Sequence, residues 1–141
     1  MFQISAGLQY GLRALIYLAS SDKVENIASV SQRENIPRKF LENIFTQLKK
    51  NMIVRSIRGP EGGYVLARNA GDITLYEIFD AIEGSPTLVK CLEDNKNCHM
   101  SDACMVRNFW NDYQEYIRKY LDDMSLQDLI DKYSNGVKFN G

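Results

Sequence analysis

A mainly α-helical fold carrying one small β-hairpin is what this chain of 141 residues predicts, on three observations. Apolar residues recur at spacings of three and four along most of its length. One stretch breaks that period: on either side of R-G-P-E-G-G, Ile53 to Ile57 and Tyr64 to Ala67 carry β-branched and aromatic residues. A last, long helical period then runs from about Cys104 to Met124, after a segment with almost no apolar residues. At 45% apolar and 25% charged, the chain has the composition of one ordinary domain with a helical extension.

Ser5 can cap a first helix whose Leu8, Leu12, Leu15 and Ala19 share a face. Ser20 to Asn26 form a polar turn, and a short helix from about Ile27 to Glu34 ends in Asn35-Ile36-Pro37. The fixed φ of Pro37 suits a first helical turn, so a third helix starts there and covers Arg38 to Lys50. It turns Leu41, Ile44, Phe45 and Leu48 inward and leaves Arg38, Lys39, Glu42, Asn43, Gln47 and Lys49 outside. Lys49 and Lys50 suit the negative end of its dipole. The hairpin follows, with Arg55 and Arg58 at one end and Arg68 at the other. Thr74 and Glu77 open a fourth helix as a capping box, and Gly84 stops it. Val106, Phe109, Trp110, Tyr113, Ile117, Tyr120, Leu121 and Met124 stripe the long helix, roughly 30 Å at 1.5 Å per residue. Ser125 and Asp128 box a last short helix before a loose tail.

Helix, short helix, turn, helix and basic hairpin is the order of a winged helix-turn-helix. The expected division is a DNA-binding domain over 1–70, a helical dimerisation region over 71–133 with a cysteine loop at 91–104, and a flexible tail over 134–141. Charge divides the same way. Residues 1–70 hold ten Lys/Arg against five Asp/Glu, a net of +5; residues 71–141 hold seven against thirteen, a net of −6. From Arg38 to Arg58, six basic residues face one acid, Glu42. Such asymmetry points to nucleic acid at one end. The stripe Val106, Phe109, Trp110, Tyr113, Ile117 and Tyr120 is broader than a small neighbouring domain covers, and it predicts a homodimer.

All three cysteines, Cys91, Cys98 and Cys104, and the only histidine, His99, fall within residues 91–104. An odd number of cysteines and the lack of a signal-like N-terminus point to a reducing, cytoplasmic setting and away from disulfides. The neighbours of the thiols are Glu93, Asp94, Asn95, Lys96 and Asn97, not the apolar company of structural cysteines. C-x6-C-x5-C in an irregular segment suits an iron–sulfur cluster, which spans more than a single ion. Zinc, with His99 as fourth ligand, lacks its usual closely spaced cysteine pair here, and free thiols with a redox or packing role are a third reading.

The chain resembles the IscR, NsrR and RirA group of bacterial winged-helix regulators, the Rrf-two family, over nearly its whole length. The resemblance is carried by Y-G-L-R-A-L (Tyr10 to Leu15), F-L-E-N-I-F (Phe40 to Phe45), L-K-K-N-M-I-V (Leu48 to Val54) and I-R-G-P-E-G-G-Y-V-L-A (Ile57 to Ala67). It implies a homodimer of crossing long helices and an iron–sulfur cluster on Cys91, Cys98 and Cys104, 2Fe–2S ahead of 4Fe–4S. Two departures leave the fourth ligand open. IscR-like members place a histidine three residues after the third cysteine, where this chain has Arg107; the carboxylate that NsrR-like members take from the partner's first helix aligns with Gln9. His99, Asp102, another carboxylate, or an exogenous thiol or water are the candidates.

The expected function is therefore that of a cytoplasmic transcription repressor, whose operator binding responds to iron–sulfur status, redox change or nitric oxide. Glu42 and Asn43 would read base edges, Arg38, Lys39, Lys49 and Arg55 would meet phosphates, and Arg58 would enter the minor groove. The alternative is a cluster-free regulator of the same fold sensing a metabolite, a protein partner or thiol oxidation. No membrane and no small-molecule substrate are expected. Enzymes are disfavoured because no nucleophile–base pair or phosphate-cradling loop is present, and an electron carrier would have no use for a basic hairpin.

Overall fold

The computed structural model describes residues 3–84 and 104–134. Among these residues, six α-helices and one hairpin follow in order: α1 (Ala6–Ser20), α2 (Ile27–Glu34), α3 (Arg38–Lys50), β1 (Val54–Ile57), β2 (Gly63–Leu66), a 3-10 turn (Ala70–Asp72), α4 (Leu75–Glu83), α5 (Met105–Asp122) and α6 (Leu126–Tyr133). The predicted mainly helical class with one hairpin is what the structure shows.

Local chemistry sets most of the boundaries. The Ser5 hydroxyl accepts from the Leu8 amide, and the Asn26 side chain accepts from Ser29. α2 ends where Asn35 turns left-handed (φ 54°), which lets the Ile36 amide reach back to the Ser31 carbonyl at 3.1 Å. Pro37 stands just ahead of α3 rather than inside it, and its carbonyl accepts from Phe40 and Leu41. The inward face of α1 is Leu8, Gly11, Ala14, Leu15 and Leu18; Leu12 and Ala19, expected there, are only half-buried.

One core gathers α1, Val30 of α2, the buried face of α3, Ile53 and Val54, and Ile73, Leu75 and Ile78 around α4. Leu121 of α5 and Leu126 of α6 complete it. The two capping boxes lie side by side: Thr74 and Ser125 form an antiparallel bridge, the Leu75 amide donates to the Met124 carbonyl at 2.9 Å, and the Leu126 amide to Ile73 at 2.8 Å. Sequence separated by about fifty residues is thus stitched by backbone hydrogen bonds. Arg118 of α5 also sits over the Tyr76 ring of α4 at 5.1 Å.

The hairpin pairs Val54 with Leu66, Arg55 with Val65, Ser56 with Tyr64 and Ile57 with Gly63. Its turn needs glycine: Gly59 adopts φ 116°, beyond the reach of ordinary side chains. The free edge of β2 is used. The Tyr64 amide donates to the Glu25 carbonyl at 2.8 Å and the Glu25 amide returns to Tyr64 at 3.2 Å, so the α1–α2 loop adds a short third rung. A Cβ on Gly63 would lie 2.4 Å from that Glu25 carbonyl, which is why no larger residue stands there.

Candidate nucleic-acid surface and cysteine site

α3 is the most sharply sided element near the hairpin. Leu41, Ile44, Phe45 and Leu48 are buried, while Arg38, Lys39, Glu42, Asn43, Thr46, Lys49 and Lys50 are exposed. Inward, the Phe45 ring stacks on Tyr64 of β2 with centroids 4.5 Å apart and planes 13° from parallel. The same contact therefore fixes the depth of α3 and the seat of the wing. Arg13 ties the preceding helix pair together: its guanidinium donates to the Glu34 carbonyl, at the negative end of α2, and stands 3.9 Å from the Glu34 carboxylate.

Arg55 is exposed on β1 and Arg58 is exposed at the turn, so both cations of the wing are free to meet a polyanion. Arg68 is not one of them. Its guanidinium donates to the Asp72 carbonyl at 3.1 Å and the Met52 carbonyl at 3.4 Å, and it pairs with Glu77 at 3.2 Å. It braces the base of the hairpin against α4.

Sequence reasoning missed Glu25, which looked like one more polar residue of a turn. Its side chain is 4% exposed. The Ser21 hydroxyl donates to its carboxylate at 2.9 Å, and the Tyr17 phenol hydrogen-bonds it as well. Burial, then the neighbouring Glu25 charge, pushes the Tyr17 phenol above the usual tyrosine range. This polar knot holds the loop whose backbone pairs with the wing.

Of the expected metal ligands, Cys104 is described; Cys91, Cys98, His99 and Asp102 lie outside the described residues. Cys104 is half-exposed, has extended backbone (φ −82°, ψ 112°), and stands immediately before α5 without capping it through its side chain. Its sulfur is spent on no helix cap and is open to solvent, so it is sterically available to a metal ion. Its setting thus fits one ligand of a larger set. Among the described residues, no three His, Cys, Asp or Glu side chains come together as a metal site. Gln9 is exposed, and its side-chain amide donates to the Ile4 carbonyl at 2.9 Å; Arg107 is half-buried in the first turn of α5.

Along α5, Val106, Phe109, Tyr113 and Tyr120 of the expected seam are exposed, Phe109 by 58%, and Met105 and Tyr116 join them. Trp110 is half-buried, with its ring 5.2 Å from Phe109. Ile117 instead packs against the core of its own chain. Among the described residues, no helix is long and apolar enough to cross a membrane.

A sided helix, a hairpin with two outward arginines and a bracing loop define a winged-helix DNA-binding regulator. Residues 4–132 match the Rrf2 family, described as an iron-dependent transcriptional regulator, and the chain belongs to that family. It is similar to the HTH-type transcriptional regulator IscR of Xenorhabdus nematophila, 34% identical over 86% of this chain and 75% of that protein. Among solved structures it is similar to CymR, the global cysteine regulator of B. subtilis, at 30% identity and TM-score 0.76, covering 94% of this chain and 98% of that one. IscR of T. potens is similar at 25% identity and TM-score 0.77, covering 99% and 94%. Relatives of this kind are regulators, not enzymes.

Proposed function

We propose that this regulator is a cytoplasmic homodimeric repressor whose operator affinity is set by an iron–sulfur cluster on Cys91, Cys98 and Cys104. The observation that carries the reading is the pairing of two chemistries in one family member: an outward basic and amide-bearing α3, and a thiol set whose last member, Cys104, stands just before α5. On DNA, α3 lies in the major groove. Glu42 accepts from cytosine N4, Asn43 pairs with adenine, and Arg38, Lys39, Lys49 and Arg55 neutralise phosphates. Arg58 enters the adjoining minor groove, where narrow A·T-rich sequence concentrates negative potential. The exposed aromatic face of α5 meets its copy in a second chain and sets half-site spacing.

A bound cluster would supply redox-sensitive, iron-dependent coordination. With three thiolates and no histidine at position 107, the remaining coordination site would be the weakest and most reachable, a property suited to sensing. The test is the visible spectrum of anaerobically purified protein, with iron and sulfide counted per chain and operator binding measured before and after iron chelation. Strong visible absorption, stoichiometric iron and sulfide, and altered binding are expected. Colourless protein that binds DNA identically with and without chelator would refute the cluster reading. It would leave the second reading, a cluster-free sensor, which the likeness to the cysteine regulator CymR favours.

A further inference from the structure

We propose that Thr46 reads the 5-methyl group of a thymine in each half-site, a specificity-determining contact that rests on the reading of α3 as the major-groove helix. At 3.6 residues per turn, the outermost line of α3 opposite Leu41, Ile44, Phe45 and Leu48 is Lys39, Asn43, Thr46 and Lys50. Thr46 is the only member of that line with an apolar group at its end. Its hydroxyl is committed: Oγ1 donates to the Glu42 carbonyl at 2.7 Å, one turn back in the same helix. The single hydroxyl hydrogen is thus used inside the helix. What Thr46 offers outward as a distinct surface is its γ-methyl, held in one rotamer by that bond.

A short, rigid methyl has no hydrogen bond to give a base edge. The major groove holds one apolar counterpart, the C5-methyl of thymine, and threonine methyl is a suitable match for it. The neighbours on α3 favour the same placement. Asn43 and Glu42 stand three and four residues before Thr46 on a polar face, and exposed Lys50 stands four residues after it. A methyl contact there would be flanked by hydrogen-bonding readers and would exclude water between them. The hydrogen bond to Glu42 fixes the rotamer and so presents the methyl, a group that serine lacks.

The test uses duplexes selected by the full-length protein from a randomised pool, with each thymine replaced singly by deoxyuridine, which removes only the methyl. One position per half-site should weaken by about fourfold for the parent protein, the worth of one buried methyl-sized group. Thr46→Ser keeps the hydroxyl and should bind thymine and uracil equally at that position; Thr46→Val keeps the methyl and should retain the discrimination. Undiminished thymine preference in Thr46→Ser, with Lys39→Ala and Asn43→Ala binding weakly, would overturn this contact and leave α3 as the reading helix. If Lys39→Ala and Asn43→Ala also bind as the parent does, α3 is not the reading helix and both proposals fall. Thr46 is exposed, so melting curves of the variants should match the parent and keep folding out of the comparison.

Discussion

Phe45 and Tyr64 stack ring on ring, 4.5 Å between centroids, and in doing so join the buried side of α3 to the wing. The two elements proposed to touch DNA are therefore not independent. Phe45 is fully buried, so Phe45→Ala should cost about 3–5 kcal/mol and threaten folding. Tyr64→Leu is the more telling change. It keeps an apolar side chain on a half-buried strand position and loses the stack, at about 0.5–1.5 kcal/mol. Denaturant melts should show that modest loss while DNA binding falls by more than stability alone explains. Equal stability and equal binding would mean the stack does not couple helix to wing.

The loop that pairs with the wing is held by a knot of Tyr17, Ser21 and Glu25, and the phenol gives it a pH dependence. Tyr17 has its pKa raised by burial and by the Glu25 charge beside it. A group whose folded pKa exceeds its unfolded value adds stability below the unfolded pKa, near 10 for tyrosine, and loses it as pH rises through the folded one. The chain should thus lose stability above about pH 10, and Tyr17→Phe should reduce that alkaline loss. At neutral pH the same variant should be less stable by about 0.5–1.5 kcal/mol, for the hydrogen bond to Glu25. Unfolding free energies compared at pH 7.5 and at about pH 10.5 check both signs. Identical pH profiles for the two proteins would remove Tyr17 from the account.

Met52 is strained. It follows α3 with φ 60°, a region that favours glycine or asparagine, and its side chain is 72% exposed. The left-handed conformation costs a side-chain-bearing residue about 1–2 kcal/mol, and little burial is lost on removing the side chain. Met52→Gly should therefore stabilise the protein by about 1 kcal/mol, less the extra freedom glycine gains when unfolded. A fall in the denaturant midpoint would show that the Met52 side chain makes contacts outweighing its strain.

What the sequence made legible follows from where the signals reside. Caps, capping boxes and sided periods are local, so Ser5, Thr74 with Glu77, and Ser125 with Asp128 marked their helices as the structure has them. The inward face of α1 was harder. Gly11 carries no apolar side chain to mark it, yet it is buried on the line of Leu8, Leu15 and Leu18. The pairing of Glu25 with Tyr64 is a backbone event with no side-chain signature, and the only trace was Gly63, whose missing Cβ makes room. Arg68 looked like Arg55 and Arg58 because charge alone does not reveal partners; tertiary structure brings Asp72 and Glu77 to it. At the cysteine site, donor chemistry was legible from composition. Ligand arrangement is not a local property, and Cys91, Cys98 and His99 lie outside the described residues.

The two wing and helix cations should separate specificity from affinity. Arg58, exposed beside the glycine turn, is proposed for the minor groove; Lys49, exposed at the end of α3, for a phosphate. Arg58→Ala should cost about 1–3 kcal/mol and relax preference at A·T pairs flanking each half-site. Lys49→Ala should weaken all sequences alike and reduce the slope of log affinity against log salt by about one. Titrations at several salt concentrations, on selected and scrambled duplexes, distinguish the two patterns. Both variants binding as the parent does would displace the proposed surface from this face.

The cysteine prediction turns on how little Cys104 does for the fold. It is half-exposed, stands outside the hydrophobic core and makes no side-chain cap for α5, so Cys104→Ala should melt within about 1 kcal/mol of the parent. If its sulfur is one of three cluster ligands, the same change should nonetheless bleach anaerobically purified protein, as should Cys91→Ala and Cys98→Ala, with the dimer retained in light scattering. Unchanged stability beside lost colour is what a ligand role demands and a packing role does not. His99→Ala is expected to leave the spectrum as it is, because neighbouring Cys98 makes joint ligation by the two residues awkward; a shifted spectrum would assign His99 the fourth position. Operator affinity should change with the bleaching by about 5- to 150-fold, the range of ordinary coupling between two sites. The argument for that coupling is positional. Cys104 leads into α5, whose far end enters the core at Leu121 and whose exposed face is the proposed seam between two DNA-binding units. Three bleached variants that bind the operator as the cluster-loaded parent does would sever cluster from DNA, and the thiols would then need a different purpose.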